Sequence, residues 1–266
     1  MALRVSIGQY YAVDSPVHRL DPRVKLVGTI LYMVSCLFVV DIATGTLAAA
    51  ALAAVVALAR IPLGQLLAKA RPLAAFLVVT SLINLFCIGT GEVVWSWGVL
   101  RICTGGIEAA VLNTARFFLL LMGGSLLMFT TTPIALADAA TSLFAPLERR
   151  GVRVGEAAVV FSIALCFVPA LAQEVDTIVA AQKARGAQLE GTGPVAYARA
   201  CVPLAVPLFA SALRHAENLG RAMDARCYTG TGRTHYHVLR FDARRDGIAL
   251  AALALYLGAL AALWLA

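Results

Sequence analysis

QEVDTIVAAQKARG, residues 173–186, and SALRHAENLGRAMDARC, residues 211–227, are the two most informative segments of this chain. Both read as amphipathic helices. In the second, Leu213, Ala216, Leu219, Ala222 and Met223 recur at helical spacing, with Arg214, Glu217, Asn218 and Arg221 on the opposite side. In the first, Gln173, Glu174 and Asp176 come early and Lys183 and Arg185 late, the order a helix dipole favours. Each segment closes on an arginine between two small residues: Ala184-Arg185-Gly186 and Ala225-Arg226-Cys227. Gly186 suits the left-handed turn that ends many helices. A guanidinium at a helix C-terminus offers five fixed donors to the carboxylates or carbonyls of a partner. The plainer alternative, that each arginine merely finishes its helix, stays open at this level.

Around these rods the chain is mostly apolar. Of its 266 residues, 61% are hydrophobic and 14% charged, against roughly 25% charged in soluble domains. The expectation is an all-α, polytopic membrane protein with about five transmembrane helices and a cytoplasmic helical coupling module. The six cysteines, Cys36, Cys87, Cys103, Cys166, Cys201 and Cys227, show no metal-ligand spacing and read as small buried hydrophobes. No metal, cofactor or nucleic-acid partner is expected. The polar start, with Asp14 and Asp21, does not resemble a cleaved signal peptide.

Residues 1–133 are expected to hold four spans. Asp21 is placed to cap the first, with Pro22 at its first helical position and Arg23 and Lys25 at the membrane surface. The spans are Val24–Val40, the alanine-rich Ile42–Ala59 after a turn at Asp41, Leu73–Gly89 and Gly105–Thr130. Residues 60–72, with Arg60, Lys69 and Arg71, read as a basic connector, and Trp95 and Trp97 suit the membrane interface. Asn84 reads as polar glue between helices. Arg116 lies inside the fourth span and needs a partner, for which Glu108 and Asn113 are local candidates. Thr130–Thr132 before Pro133 suit a helix end, a hydroxyl cap and a new helix start.

Residues 134–245 are expected to form the cytoplasmic or interfacial coupling module, and 246–266 the last span. The apolar run Glu156–Leu171 contains Pro169 and is short for a crossing. Were it to cross, the ten basic residues of 172–245 would face outward, against the positive-inside tendency. It is therefore read as an apolar helix against the bundle, continuous with the rod that reaches Gly186. The amino terminus is then cytoplasmic, and Arg101 and Arg116 are the basic residues outside the cytoplasmic set. Pro203 and Pro207 are expected to interrupt the segment before Met223. His215 has no metal-binding companion in a recognisable motif and reads as structural or interfacial.

Taken in order, Asp21-Pro22-Arg23 with Lys25, TTPIALADAATSLFAPLERRGV, FVPALAQEVDTIVAAQKARG and ALRHAENLGRAMDARCY resemble the transmembrane T component of energy-coupling factor transporters over nearly the whole chain. The resemblance implies a non-catalytic subunit of the cell membrane that joins two ABC-type ATPases, identical or not, to a membrane S component capturing a vitamin or a transition-metal ion. It implies that Arg185 and Arg226, flanked by Ala184, Gly186, Ala225 and Cys227, each dock in one ATPase groove. Asp21, Pro22, Arg23, Lys25, Arg116, Pro133 and Pro169 are expected in structural or coupling roles. The family usually carries glycine or another small residue at the position of Cys227 and often arginine at that of Cys166.

Two other classes fit less well. A membrane enzyme needs clustered acids, histidines or a nucleophile, whereas Asp138, Glu148, Glu174 and Asp176 are scattered along cytoplasmic helices and no HExxH run exists. A self-sufficient secondary transporter predicts paired repeats with polar groups at mid-membrane, and the candidates for such groups are Asn84, Asn113 and Arg116. There is no GxxxxGK[ST] phosphate loop, so any ATP hydrolysis comes from partners.

Overall fold

The computed structural model describes residues 11, 13–88, 92–97, 100–151, 153–186, 194–230 and 242–265. Eight α-helices account for most of them: α1 (Pro22–Leu37), α2 (Ile42–Ala59), α3 (Leu63–Cys87), α4 (Thr104–Thr130), α5 (Pro133–Phe144), α6 (Val154–Ala184), α7 (Pro194–Ala225) and α8 (Ala243–Leu265). A short 3-10 helix, Ala145–Arg150, follows α5. The chain divides into two compact units: Phe144–Val238, and Gly8–Leu143 with Leu239–Ala266, as far as the described residues go.

The second unit gathers α1, α2, α4 and α8 around Tyr32, Cys36, Leu52, Met122, Phe129 and Tyr256. Because a bilayer offers no water to polar groups, its hydroxyls bond across helices. Tyr32 Oη donates to the Ala48 carbonyl at 3.2 Å, and the Ser35 and Tyr256 hydroxyls lie 2.8 Å apart. Helix starts follow local chemistry. Asp21 Oδ1 accepts from the Arg23 amide at 2.9 Å, with Pro22 at the first helical position. Thr44 Oγ1 accepts from the Asp41 amide at 3.1 Å and so caps α2. At the end of α4, Thr130 Oγ1 bonds the Leu126 carbonyl, and Thr132 Oγ1 receives the Ala135 amide to open α5, whose first residue is Pro133.

Several sequence expectations need correction. Residues 63–72 are no connector: they form the start of α3, which runs through Pro72. Charges at Lys69 and Arg71 suggest a break, but helices at membrane depth tolerate proline where neighbours satisfy the freed carbonyl. Pro203 and Pro207 likewise lie inside an unbroken α7. Val93–Trp97 and Leu100–Cys103 pair as an antiparallel hairpin joining α3 to α4, the one addition to an otherwise all-α fold among the described residues. Arg116 bonds neither Glu108 nor Asn113. Its guanidinium donates to the Val39 carbonyl beyond the C-terminus of α1, where a cation meets the negative end of the helix dipole. Asn113 instead bonds Asn84 Oδ1 at 3.3 Å, which makes Asn84 the interhelical glue expected of it. Cys36 and Cys103 are buried, but Cys166 and Cys227 are exposed. Cys166 sits on α6, which buries none of its residues against this chain, and Cys227 sits beyond the end of α7.

By length and composition, α2, α4, α6 and α8 are each long and apolar enough to cross a membrane. That criterion includes α6 and passes over α1, whose 16 residues are short for a span. The protein is an all-α, multi-pass membrane protein with further helices consistent with a C-terminal coupling module.

Candidate partner-docking site

The unit Phe144–Val238 is built on α6 and α7. At 31 and 32 residues they measure about 46 and 48 Å at 1.5 Å per residue. Pro169 lies within α6, which remains continuous from Val154 to Ala184 as the sequence led one to expect. The two rods touch where His215 Nε2 lies 3.3 Å from Glu174 Oε2 and the His215 ring faces Phe167 at 6.1 Å. Glu174 also takes a hydrogen bond from Ser211, which is buried at this contact. Sequence reading placed Glu174 among scattered acids, and two residues 41 apart in sequence give no local signal of their pairing.

From this contact each helix runs on to its arginine. Arg185 is eleven residues beyond Glu174, and Arg226 eleven beyond His215, so both arms reach about 16 Å. The two ends terminate alike. At the end of α6, the Arg185 amide is shared by the Ala181 and Gln182 carbonyls, and the Gly186 amide bonds the Lys183 carbonyl at 3.0 Å with Gly186 at φ 84°. At the end of α7, the Cys227 amide bonds the Asp224 carbonyl at 2.9 Å and the Tyr228 amide bonds the Met223 carbonyl at 3.1 Å, with Cys227 at φ 53°. The α7 end is the Schellman termination, and the α6 end shares its 5→2 bond and its left-handed residue, a position that favours glycine. Small residues at Gly186 and Cys227 are thus first a backbone requirement.

A side chain in left-handed conformation costs roughly 1–2 kcal/mol. Cys227→Gly is therefore expected to stabilise the end of α7 by about 1 kcal/mol, and Cys227→Val to weaken it. Hydrogen exchange at the Cys227 and Tyr228 amides checks this: unchanged protection in both variants would refute it.

Ala184, Arg185, Gly186, Ala225, Arg226 and Cys227 are all exposed. Neither guanidinium has an ion-pair or side-chain hydrogen-bond partner among the described residues. Arg221 and Arg153, by contrast, pair with Glu217 and Glu156 on their own helices. The ends therefore present two cations without a side-chain partner among the described residues, on equal arms that each close on a left-handed residue. Further back, Val160, Phe161, Val168, Val202, Val206 and Phe209 leave broad apolar surface exposed.

The remaining candidates lie in the other unit. Asp21, Pro22, Arg23 and Lys25 open α1, and Lys25 Nζ bonds the His18 and Thr130 carbonyls at 2.8 and 3.2 Å. Sequence reading missed Asp246, which is 1% exposed. Its signal was a lone acid in the first turn of an apolar helix.

Residues 14–236 match a family model described as CbiQ, cobalt transport protein. The chain is 41% identical over 252 residues to the energy-coupling factor transporter transmembrane protein EcfT of Limosilactobacillus fermentum, covering 94% of each chain. It is 41% identical over 239 residues to the EcfT of Ruminiclostridium cellulolyticum, covering 89% of each. It is also 43% identical over 252 residues to a putative ABC transporter ATP-binding protein of Bifidobacterium longum, covering 94% of this chain and 32% of that protein.

Proposed function

We propose, from the premise that this chain belongs to the CbiQ family and is an EcfT-type transmembrane subunit of an energy-coupling factor transporter, that Arg185 and Arg226 are its two ATPase-docking points. The carrying observation is the pair of guanidiniums, without a side-chain partner among the described residues, on equal arms that each end in a left-handed residue. Two equivalent contacts suit two ABC-type ATPase subunits, identical or homologous. The match to a segment of an ATP-binding protein supports the pairing, since in that relative the corresponding segment is joined to the rest of an ATP-binding chain.

The subunit itself is non-catalytic. ATP binding by the partners draws the two tips together, and the arms turn about the Glu174–His215 contact. The exposed apolar surface of α6 and α7 receives an S component, the membrane subunit that captures a vitamin or a transition-metal ion. Alanine, leucine and valine surfaces suit partners that exchange, because they impose few directional contacts. The motion then reorients the S component in the bilayer.

In the topology that fits this role, α1, α2, α3, α4 and α8 cross the cell membrane, the amino terminus is cytoplasmic and α6 stays on the cytoplasmic side. Although α6 is long and apolar enough to span, crossing would place Lys183, Arg185 and the α7 arginines outside. Arg153→Cys and Lys183→Cys lie at the two ends of α6 and test this on a cysteine-free background in intact cells. Neither is expected to react with a membrane-impermeant maleimide until the cells are opened. If one of the two reacts in intact cells, α6 crosses and the docking geometry fails.

A further inference from the structure

We propose that Asp246 and Lys25 form a clamp that ties the end of α4 and the start of α8 to the start of α1, and that both are positioning residues for the coupling motion. The inference rests on the proposed docking of ATPases at Arg185 and Arg226.

The stretch Phe144–Val238 lies between α5 and the segment that opens α8. The chain goes out to it by α4 and α5 and returns at α8. The end of α4, one helix before that stretch, and the start of α8 are held by the same few residues. On the outgoing side, Lys25 Nζ donates to the carbonyl of Thr130, the last residue of α4, and to that of His18. The Tyr11 amide donates to the neighbouring Phe129 carbonyl at 3.0 Å. On the returning side, Asp246 Oδ2 accepts from the Asp242 amide at 2.8 Å just before α8, and Oδ1 accepts from the Asp21 amide at 3.0 Å. Asp21 caps α1, so the start of α1 is bonded to the start of α8 through Asp246 and to the end of α4 through Lys25.

An acid that only capped α8 needs the bond to Asp242 alone and would sit in water. Asp246 is 1% exposed and spends its second oxygen on a backbone amide 225 residues away in sequence. Burying a carboxylate is costly unless each oxygen is satisfied. The arrangement makes mechanical sense where a force arriving along the chain from Phe144–Val238 must reach α1, α4 and α8 together. If the end of α4 and the start of α8 could move independently, that force would displace one helix without the others.

The test uses the full chain assembled with its ATPases in nanodiscs, without nucleotide and with ATP plus vanadate. Asp246→Asn and Lys25→Met are compared with wild type by ATPase retention, ATP hydrolysis and hydrogen exchange. Both variants are expected to keep the ATPases and to hydrolyse ATP within about twofold of wild type, because neither touches the tips. Exchange at residues 242–246 and 130–136 is expected to rise at least about tenfold and to lose its response to nucleotide, while the tips at 184–186 and 225–227 still respond. The double variant is expected to look like either single one, since both break one clamp. The proposal is overturned if 242–246 and 130–136 keep a wild-type nucleotide response in both variants. It is also overturned if ATPase retention falls in step with exchange, which marks a purely structural role. Failure of the wild-type chain to hold ATPases would instead remove the docking reading itself, and is told apart by the wild-type arm alone.

Discussion

Replacing both tip arginines, Arg185→Ala with Arg226→Ala, is expected to abolish co-purification of ABC ATPases with the tagged chain, while each single substitution weakens it in part. Truncating one partner of a buried, hydrogen-bonded charge pair costs roughly 2–5 kcal/mol, so each single change is expected to weaken binding by at least about 30-fold. Contacts on separate partner subunits share no neighbours and should add, which places the double variant roughly a thousandfold or more below wild type. Folding should be untouched. Both guanidiniums are exposed and unpaired among the described residues, so their loss removes no internal contact, and surface changes of this kind stay within about 0.5 kcal/mol. Arg→Lys at either tip is expected to restore only part of the affinity, because an ammonium keeps the charge but not the planar fork. Full retention of the ATPases by the double variant, at wild-type thermal stability, would reduce both arginines to ordinary helix ends.

What the sequence made legible was local. Asp21 before Pro22 gave a cap and a start, Thr130 and Thr132 gave a helix end and the next cap, and Gly186 gave a terminator. Each depends on atoms within a few residues, where periodicity and capping chemistry speak directly. What stayed hidden was set by distant chain. The acceptor of Arg116 is a carbonyl 77 residues back, at a helix end that only the packed bundle brings near. Asp246 looked like a polar residue ahead of a span because its second partner, Asp21, is 225 residues away. The hairpin at Val93–Trp97 and Leu100–Cys103 was read as an interfacial aromatic stretch, since so short an alternation is weak evidence of a strand. For the docking site, sequence supplied the two arginine triplets, and the fold added the matched arm lengths and the left-handed turn at Cys227. The latter gives the small residue a backbone reason that composition alone could not.

Gly106→Ala is expected to be among the most damaging single-methyl additions in the membrane unit. The first turn of α4 packs against the end of α3, and a Cβ on Gly106 would lie 2.8 Å from the Leu85 carbonyl oxygen and 2.9 Å from that of Ile88. Both obstacles are backbone atoms, which cannot turn aside as a side chain can. Relief requires α3 and α4 to separate, and α3 is the helix most extensively packed on α4. Gly123 is a milder case. A Cβ there would meet the Tyr32 ring at 2.9 Å, and that ring can tilt only by disturbing its hydroxyl bond to the Ala48 carbonyl. Overpacking of this kind costs about 1–3 kcal/mol, and more where backbone must move, so Gly106→Ala is expected to lower the unfolding midpoint in detergent by roughly 5 °C or more. Gly258→Ala is the internal control: nothing lies within 4 Å of its added Cβ, and alanine is favoured over glycine in a helix by about 1 kcal/mol. It should leave the midpoint unchanged or raise it. Small residues at helix contacts substitute close van der Waals packing for the hydrophobic drive that lipid does not supply, so the contrast between these two glycines measures how much of the bundle depends on that approach. Equal midpoints for Gly106→Ala and Gly258→Ala would mean that α3 and α4 are not held at this distance.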